Sequence, residues 1–184
     1  MRKYYLKYMV FGLAILGLIS LAVVYVGPAS SDNLVNEIAE KELNQEVGIE
    51  IGKFGPDFNL TALRGDQVSL SQFRGQKVIL HFWASWCPSC REEMPDLAQF
   101  DTEYDDITVL GVNVGEEEEA VNEFINSNDY QFIVLLDQAS LVAGEYAVSV
   151  LPTTYFIDQE GRIKYIKRGI VNKEELIELR RELF

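Results

Sequence analysis

The chain has 184 residues, 48% of them hydrophobic, which is enough for one compact domain with a real core and too apolar for a disordered chain. Its 16 basic and 29 acidic residues leave a formal net charge of −13. That is the wrong sign for a nucleic-acid partner, whose phosphates are met by clustered Lys and Arg. Two cysteines and one histidine are too few for a structural zinc site without carboxylate help, and too few for the multi-cysteine framework of a small secreted domain.

Charge is unevenly placed. Arg2, Lys3 and Lys7 precede the first acidic residue, Asp32, and the 24 residues Tyr8–Ser31 carry no charge. A helix rises about 1.5 Å per residue and needs roughly 20 residues to cross the hydrocarbon core, so this run is long enough to span. Tyr4, Tyr5, Tyr8 and Tyr25 lie near its ends, where aromatic rings favour the interface. The basic head should stay in the cytoplasm and the acidic remainder should face outward. A signal peptide cut near Gly27-Pro28-Ala29 is the competing reading, but a signal's apolar region runs only about 7–15 residues. The expected organisation is a cytoplasmic N-terminus and single-pass cell-membrane anchor over 1–31, a polar linker over 32–50 and an extracytoplasmic domain over 51–184.

Past the linker, short strands and helices alternate. Val68-Ser69-Leu70 reads as a strand, with a turn at Arg74-Gly75. The apolar run Val78–Trp83 has the length and continuity of a buried central strand. Cys87 to Tyr104 reads as a helix, with Cys90, Met94, Leu97 and Tyr104 on an inward stripe and Pro95 as a kink point. Strands are expected at Ile107–Val112 and Phe132–Leu136, and helices at Glu117–Asn126 and Ala139–Tyr146. Thr153–Ile157 and Ile163–Lys167 form a hairpin through Asp158-Gln159-Glu160-Gly161, and Lys173–Leu183 a final amphipathic helix. The arrangement is α/β with a mixed sheet.

Chemistry concentrates in Trp83-Ala84-Ser85-Trp86-Cys87-Pro88-Ser89-Cys90, between a buried strand and a helix. A thiol must become a thiolate to attack a disulfide. At a helix N-terminus, unpaired N–H groups and the helix dipole favour that negative charge. Pro88 suits the first turn, where no amide hydrogen is needed. Cys90 lies one turn on, placed to attack a mixed disulfide formed by Cys87, so Cys87 reads as the nucleophile and Cys90 as the resolving thiol. The Cys-x-x-Cys spacing has no second half for a metal site, and so short a loop gains little as a purely structural bridge.

The stretch Phe82–Glu93 resembles the active-site segment of the ResA/TlpA/DsbE-like membrane-anchored thioredoxins, and Gly111–Glu116 and Val150–Asp158 extend the match. It covers roughly residues 51–184, the ResA-type branch being nearest, although Pro88-Ser89 replaces that branch's Glu-Pro and is nearer the DsbE pattern. The resemblance implies a thioredoxin fold, a mixed central β-sheet flanked by helices, with an added N-terminal β-hairpin and a central insertion matching Asn113–Asn126. It implies a reducing role outside the cytoplasm towards protein disulfides, apocytochrome c above all, with electrons from a membrane thiol donor of the CcdA/DsbD kind. It also implies a cis Pro152 after Leu151, beside the cysteines, with the preceding backbone free to pair with substrate. Without the resemblance, Pro152 reads as an ordinary strand-start proline.

Glu93 has two readings: an acid complementing the helix dipole, or, by its match to a family glutamate, a proton carrier for the thiols. Trp86 and Pro88 join Leu151 and Pro152 as the expected substrate-contacting set. Glu116–Glu119 reads as a solvated helix start, with partner recognition open for Glu116; His81, inside a buried strand, reads as structural. No metal, haem or nucleotide is expected; the redox-active disulfide of Cys87 and Cys90 is the working group. The rivals are an oxidant of secreted thiols, a non-catalytic client-binding module, and a thiol peroxidase, which would set its cysteine in Thr-x-x-Cys where this chain has Ala84-Ser85-Trp86.

Overall fold

The computed structural model describes residues 46–184, so the expected anchor over 1–31 and most of the linker over 32–50 lie outside the described residues. Among the described residues no helix is long and apolar enough to cross a membrane. The strands are β1 (Asn59–Ala62), β2 (Gln67–Ser69), β3 (Lys77–Trp83), β4 (Ile107–Val114), β5 (Ile133–Asp137), β6 (Thr153–Ile157) and β7 (Ile163–Arg168). The helices are α1 (Pro88–Glu103), α2 (Glu118–Asn128), α3 (Leu141–Glu145) and α4 (Lys173–Leu183).

The strands form one mixed sheet in the order β2-β1-β5-β4-β3-β6-β7. β3 is central, parallel to β4 from Lys77↔Ile107 to Trp83↔Asn113 and antiparallel to β6 from Val78↔Ile157 to Phe82↔Thr153. Six of its seven residues are buried, which explains why its sequence is apolar without alternation. Period-two alternation survives in direction. Ile79 and Trp83 face a core with Met94, Leu97 and Phe100 of α1, Val121 of α2 and Leu176 of α4. Val78, Leu80 and Phe82 face a second core closed by Val142 of α3, Tyr146 and Phe58. Helices therefore cover both faces of the sheet.

Several boundaries differ from the sequence reading for local reasons. β1 carries no clear alternation in its sequence, and the expected N-terminal hairpin is there as β1–β2, paired Asn59↔Ser69. Leu70 does not continue β2; it opens a 3₁₀ turn, Leu70–Phe73, where Ser69 N–H donates to Gln72 Oε1 (3.2 Å) in a capping box. α3 starts at Leu141 instead of Ala139 because Ser140 has φ +56°, and the Asp137 carboxylate accepts from the N–H groups of Leu141, Val142 and Ala143. α2 runs on to Asn128, closed by Asp129 in the left-handed region. Asn113–Asn126, the expected insertion, holds the end of β4 and most of α2 and leads into β5. The β6–β7 hairpin turns as expected, with Gly161 at φ +87°.

Gly111 on β4 marks a close approach: a Cβ there would lie 2.7 Å from a Phe132 ring carbon and 3.2 Å from Trp83 Nε1. Gly111→Ala should therefore cost about 1–3 kcal/mol by overpacking. In urea denaturation it should lower the midpoint at unchanged m-value.

Candidate active site

β3 ends at Trp83 and α1 begins at Pro88, so the four residues between them must turn the chain and present Cys87. Cys87 is the N-cap of α1, in extended backbone, and its sulfur accepts from the Cys90 N–H at 3.3 Å. Pro88 occupies the first helical position, as its missing amide hydrogen favours. The two cysteines form a disulfide with Cα atoms 5.3 Å apart. Cys87 retains 5% exposure and Cys90 none. Of the two, Cys87 alone is open to an incoming molecule.

Beside Cys87 runs an open groove of about 400 Å³ lined by Trp86, Pro88, Ser89, Val114, Val148–Leu151. Trp86 is 67% exposed and Val150 46%, an unusual outlay of apolar surface for residues without a packing role. The Leu151–Pro152 peptide is cis and Pro152 is buried at the start of β6. The neighbouring turn is closed by Thr153 Oγ1 donating to Val150 O (2.7 Å). The expected contact set of Trp86, Pro88 and Leu151 thus lines one groove, with Pro152 directly behind it.

Glu93 is not a first-turn acid. It is the sixth residue of α1, buried to 1% exposure, and points into the core with Cys90 one turn earlier. Its Oε2 accepts from Val171 N–H (2.7 Å), and its Oε1 lies 3.2 Å from His81 Nε2. Burial pushes its carboxyl up to about 8; the Val171 N–H and Lys167 oppose that rise, and Glu175 and Glu92 add to it. Burial alone takes His81 down to about 3, so the ring is uncharged.

Two positions matter more than the sequence suggested. Glu116, read as part of a solvated acidic run, is half-buried and grips the turn before Cys87. Its carboxylate accepts from Ser85 N–H (2.6 Å), from Ser85 Oγ and from Asn113 Nδ2 (2.7 Å). Glu117, Glu118 and Glu119 are exposed at the start of α2, as expected. His81, read as structural, faces Glu93. For Glu116 the usable signal is strand register: pairing Trp83 with Asn113 places the residues just past β3 beside those just past β4.

The chain is similar to known thioredoxin-like proteins. Residues 51–166 match the model of the AhpC/TSA family. The thioredoxin-like protein YneN of Bacillus subtilis is 40% identical over 136 residues, covering 72% of this chain and 79% of that protein. The thiol–disulfide oxidoreductase ResA of Geobacillus kaustophilus is 36% identical over 134 residues, covering 72% and 77%. Among solved structures, the exposed lipoprotein thioredoxin Etrx1 of Streptococcus pneumoniae superposes with a TM-score of 0.63 at 34% identity, over 70% of this chain and all of that one. The fold is thioredoxin-like α/β.

The carboxyl and the ring make opposite contributions to stability. Between pH 4.5 and 8 the folded chain holds the Glu93 proton that the unfolded chain has lost, so stability falls as pH rises. Between pH 3 and 6.5 the unfolded chain binds a proton at His81 that the folded chain refuses, so stability rises with pH. The two cancel from 4.5 to 6.5 and leave a net fall from 6.5 to 8, with a slope of up to about 1.4 kcal/mol per pH unit. Chemical denaturation across that window should show this slope in the wild type and its loss in Glu93→Gln. Separately, Glu116→Ala should speed hydrogen exchange at the Ser85 amide at least about tenfold, equivalent to the 1.4 kcal/mol or more expected from a lost charge-assisted bond.

Proposed function

The chain belongs to the AhpC/TSA family and is a thiol–disulfide oxidoreductase of the ResA/DsbE type, and on that premise we propose that it is a membrane-anchored reductase of disulfides in extracytoplasmic proteins. The observation that carries the reading is the contrast between the two sulfurs: Cys87 at a helix N-terminus beside an open apolar groove, Cys90 sealed in the core.

In the reduced protein the Cys87 thiolate attacks one sulfur of a client disulfide. A Cys87–client S–S bond forms, the client's own S–S bond breaks, and its other sulfur leaves as a thiolate that takes a proton from water. Cys90 then gives its proton to the Glu93 carboxylate and attacks Cys87 Sγ. The Cys87–Cys90 bond forms and the second client sulfur departs. Two electrons have passed to the client, and a protein dithiol must return them. Trp86, Pro88 and Leu151 hold the client's apolar flank, and the backbone before Pro152 aligns it as an added strand.

The finer assignments belong to this proposal. Apocytochrome c is the client suggested by the resemblance to the ResA branch, with a membrane thiol donor of the CcdA/DsbD kind restoring the dithiol. Placement outside the cytoplasm rests on the basic head and the uncharged run Tyr8–Ser31, which lie outside the described residues. The same placement suits a pair whose product is a disulfide.

The reduction potential of the full-length chain, equilibrated against dithiothreitol or glutathione buffers, tests the direction. A value at or below about −270 mV supports the reductase, and one near −120 mV would make it an oxidant of secreted thiols. Cys87→Ser should abolish reduction of a Cys-x-x-Cys-His disulfide peptide, whereas a client-binding module would keep its activity. Cys90→Ser should accumulate the mixed disulfide on Cys87, visible by mass spectrometry as an adduct of one client.

A further inference from the structure

His81 and Glu93 sit on facing elements, β3 and α1, and two of their polar atoms have no hydrogen-bond partner: His81 Nε2 and Glu93 Oε1. These atoms lie 3.2 Å apart in a region where both side chains are fully shut from water, just short of hydrogen-bond alignment. On the far side of the ring, Nδ1 lies 2.9 Å from Thr154 Oγ1, which the β3–β6 register sets directly opposite His81. An imidazole flanked by a carboxyl and a hydroxyl can satisfy the carboxyl in either protonation state without taking a charge. When Glu93 is the acid, it donates to bare Nε2, and Nδ1–H donates to Thr154 Oγ1. When Glu93 is the carboxylate, Nε2–H donates to it, and the Thr154 hydroxyl donates to bare Nδ1. The two arrangements differ by one proton and by the tautomer of the ring.

We infer that His81 is a positioning residue for the exchange reaction, which holds the Glu93 carboxyl in both of its protonation states, one ring tautomer accepting from the acid and the other donating to the carboxylate. The inference rests on the role given to Glu93 above. It assigns His81 a function that its place inside a strand does not announce, and it gives Thr154 the role of the ring's proton-compliant partner. Without such a partner, the carboxylate that must stand ready before the resolving step would keep only the Val171 N–H and would be a poorly solvated charge. The burial that disfavours the Glu93 carboxylate is offset before proton transfer by the Nε2–H donor, and bare Nε2 accepts from the carboxyl once it is protonated. Other charges reaching Glu93 are Lys167 on β7, Glu175 on α4 and Glu92 on α1. Lys167 and Glu175 are paired at 2.6 Å, so they largely cancel and leave His81 as the neighbour that distinguishes the two states.

The chain has one histidine, so ¹⁵N-histidine labelling of the full-length protein reports on His81 alone. In the reduced protein the ring should carry its hydrogen on Nδ1 at pH 6 and on Nε2 above the midpoint of Glu93, staying uncharged throughout. The second readout is the resolving step, followed as release of the second thionitrobenzoate after the reduced chain attacks Ellman's reagent. Its pH midpoint should disappear in Glu93→Gln. In His81→Leu it should move up by about one pH unit, because the charged form loses the stronger bond. A ring that holds one tautomer across the whole range, or an unmoved midpoint in H81L, overturns the inference while leaving Glu93 in place. A pH profile that survives in E93Q overturns the reading of Glu93 and this inference together. The labelling needs no substitution, so an H81L chain that fails to fold leaves the tautomer measurement to decide.

Discussion

Continuous pairing of β3 on both edges is the constraint on which the site depends. Seven residue pairs with β4 and five with β6 leave this strand no freedom of register, and burial of both faces leaves none of tilt. Everything at its C-terminal end inherits that rigidity. Trp83 is the last paired residue, and three more residues bring the chain to Cys87 at the mouth of α1. On one flank, β4 ends beside the same point and leads to Glu116, whose carboxylate holds Ser85. On the other, β6 begins there, and the Leu151–Pro152 bond brings its start against the cysteines. The reactive pair is thus located by three strand ends that meet at one point, and the helix supplies only the final orientation.

The electrostatic design has an unexpected economy. The Cys87 sulfur is met by the Cys90 N–H and the start of a helix. A chain of net charge −13 thereby supports a thiolate with backbone dipoles, which carry no proton and do not titrate. The titratable groups lie in a separate compartment on the inner side of α1, where burial raises the Glu93 carboxyl and leaves the His81 ring uncharged. Cys87 faces the groove and Glu93 faces the core, so their fields can be set independently.

Much of this was readable from residue types. The run Val78–Trp83 could only be a buried strand, the Cys-Pro-x-Cys spacing could only open a helix, and Asp158–Gly161 could only turn a hairpin. These are local signals, and local physics decides them. What escaped the reading depended on partners distant in sequence. Glu93 carries two readings from the sequence, dipole-complementing acid and proton carrier, because the residues that decide its surroundings, His81 and Val171, lie 12 and 78 residues away. Glu116 hid among four consecutive acids because nothing in that run distinguishes the one carboxylate that reaches Ser85, 31 residues upstream. β1 was missed from its pattern because Asn59–Ala62 is held by β2 and β5 instead of by its own alternation.

The complete burial of Cys90 has a consequence for chemical durability. Where thiols meet peroxides, a thiolate that is oxidised stepwise reaches sulfinic and sulfonic acids from which it does not return. Only Cys87 is open to that attack. A sulfenic acid formed there has Cys90 within one helical turn, and condensation of the two expels water and regenerates the disulfide before a second oxygen can add. The buried thiol therefore serves as a sacrificial-free guard for its neighbour: the end point of oxidative injury is the ordinary oxidised form of the protein, which any later supply of electrons restores.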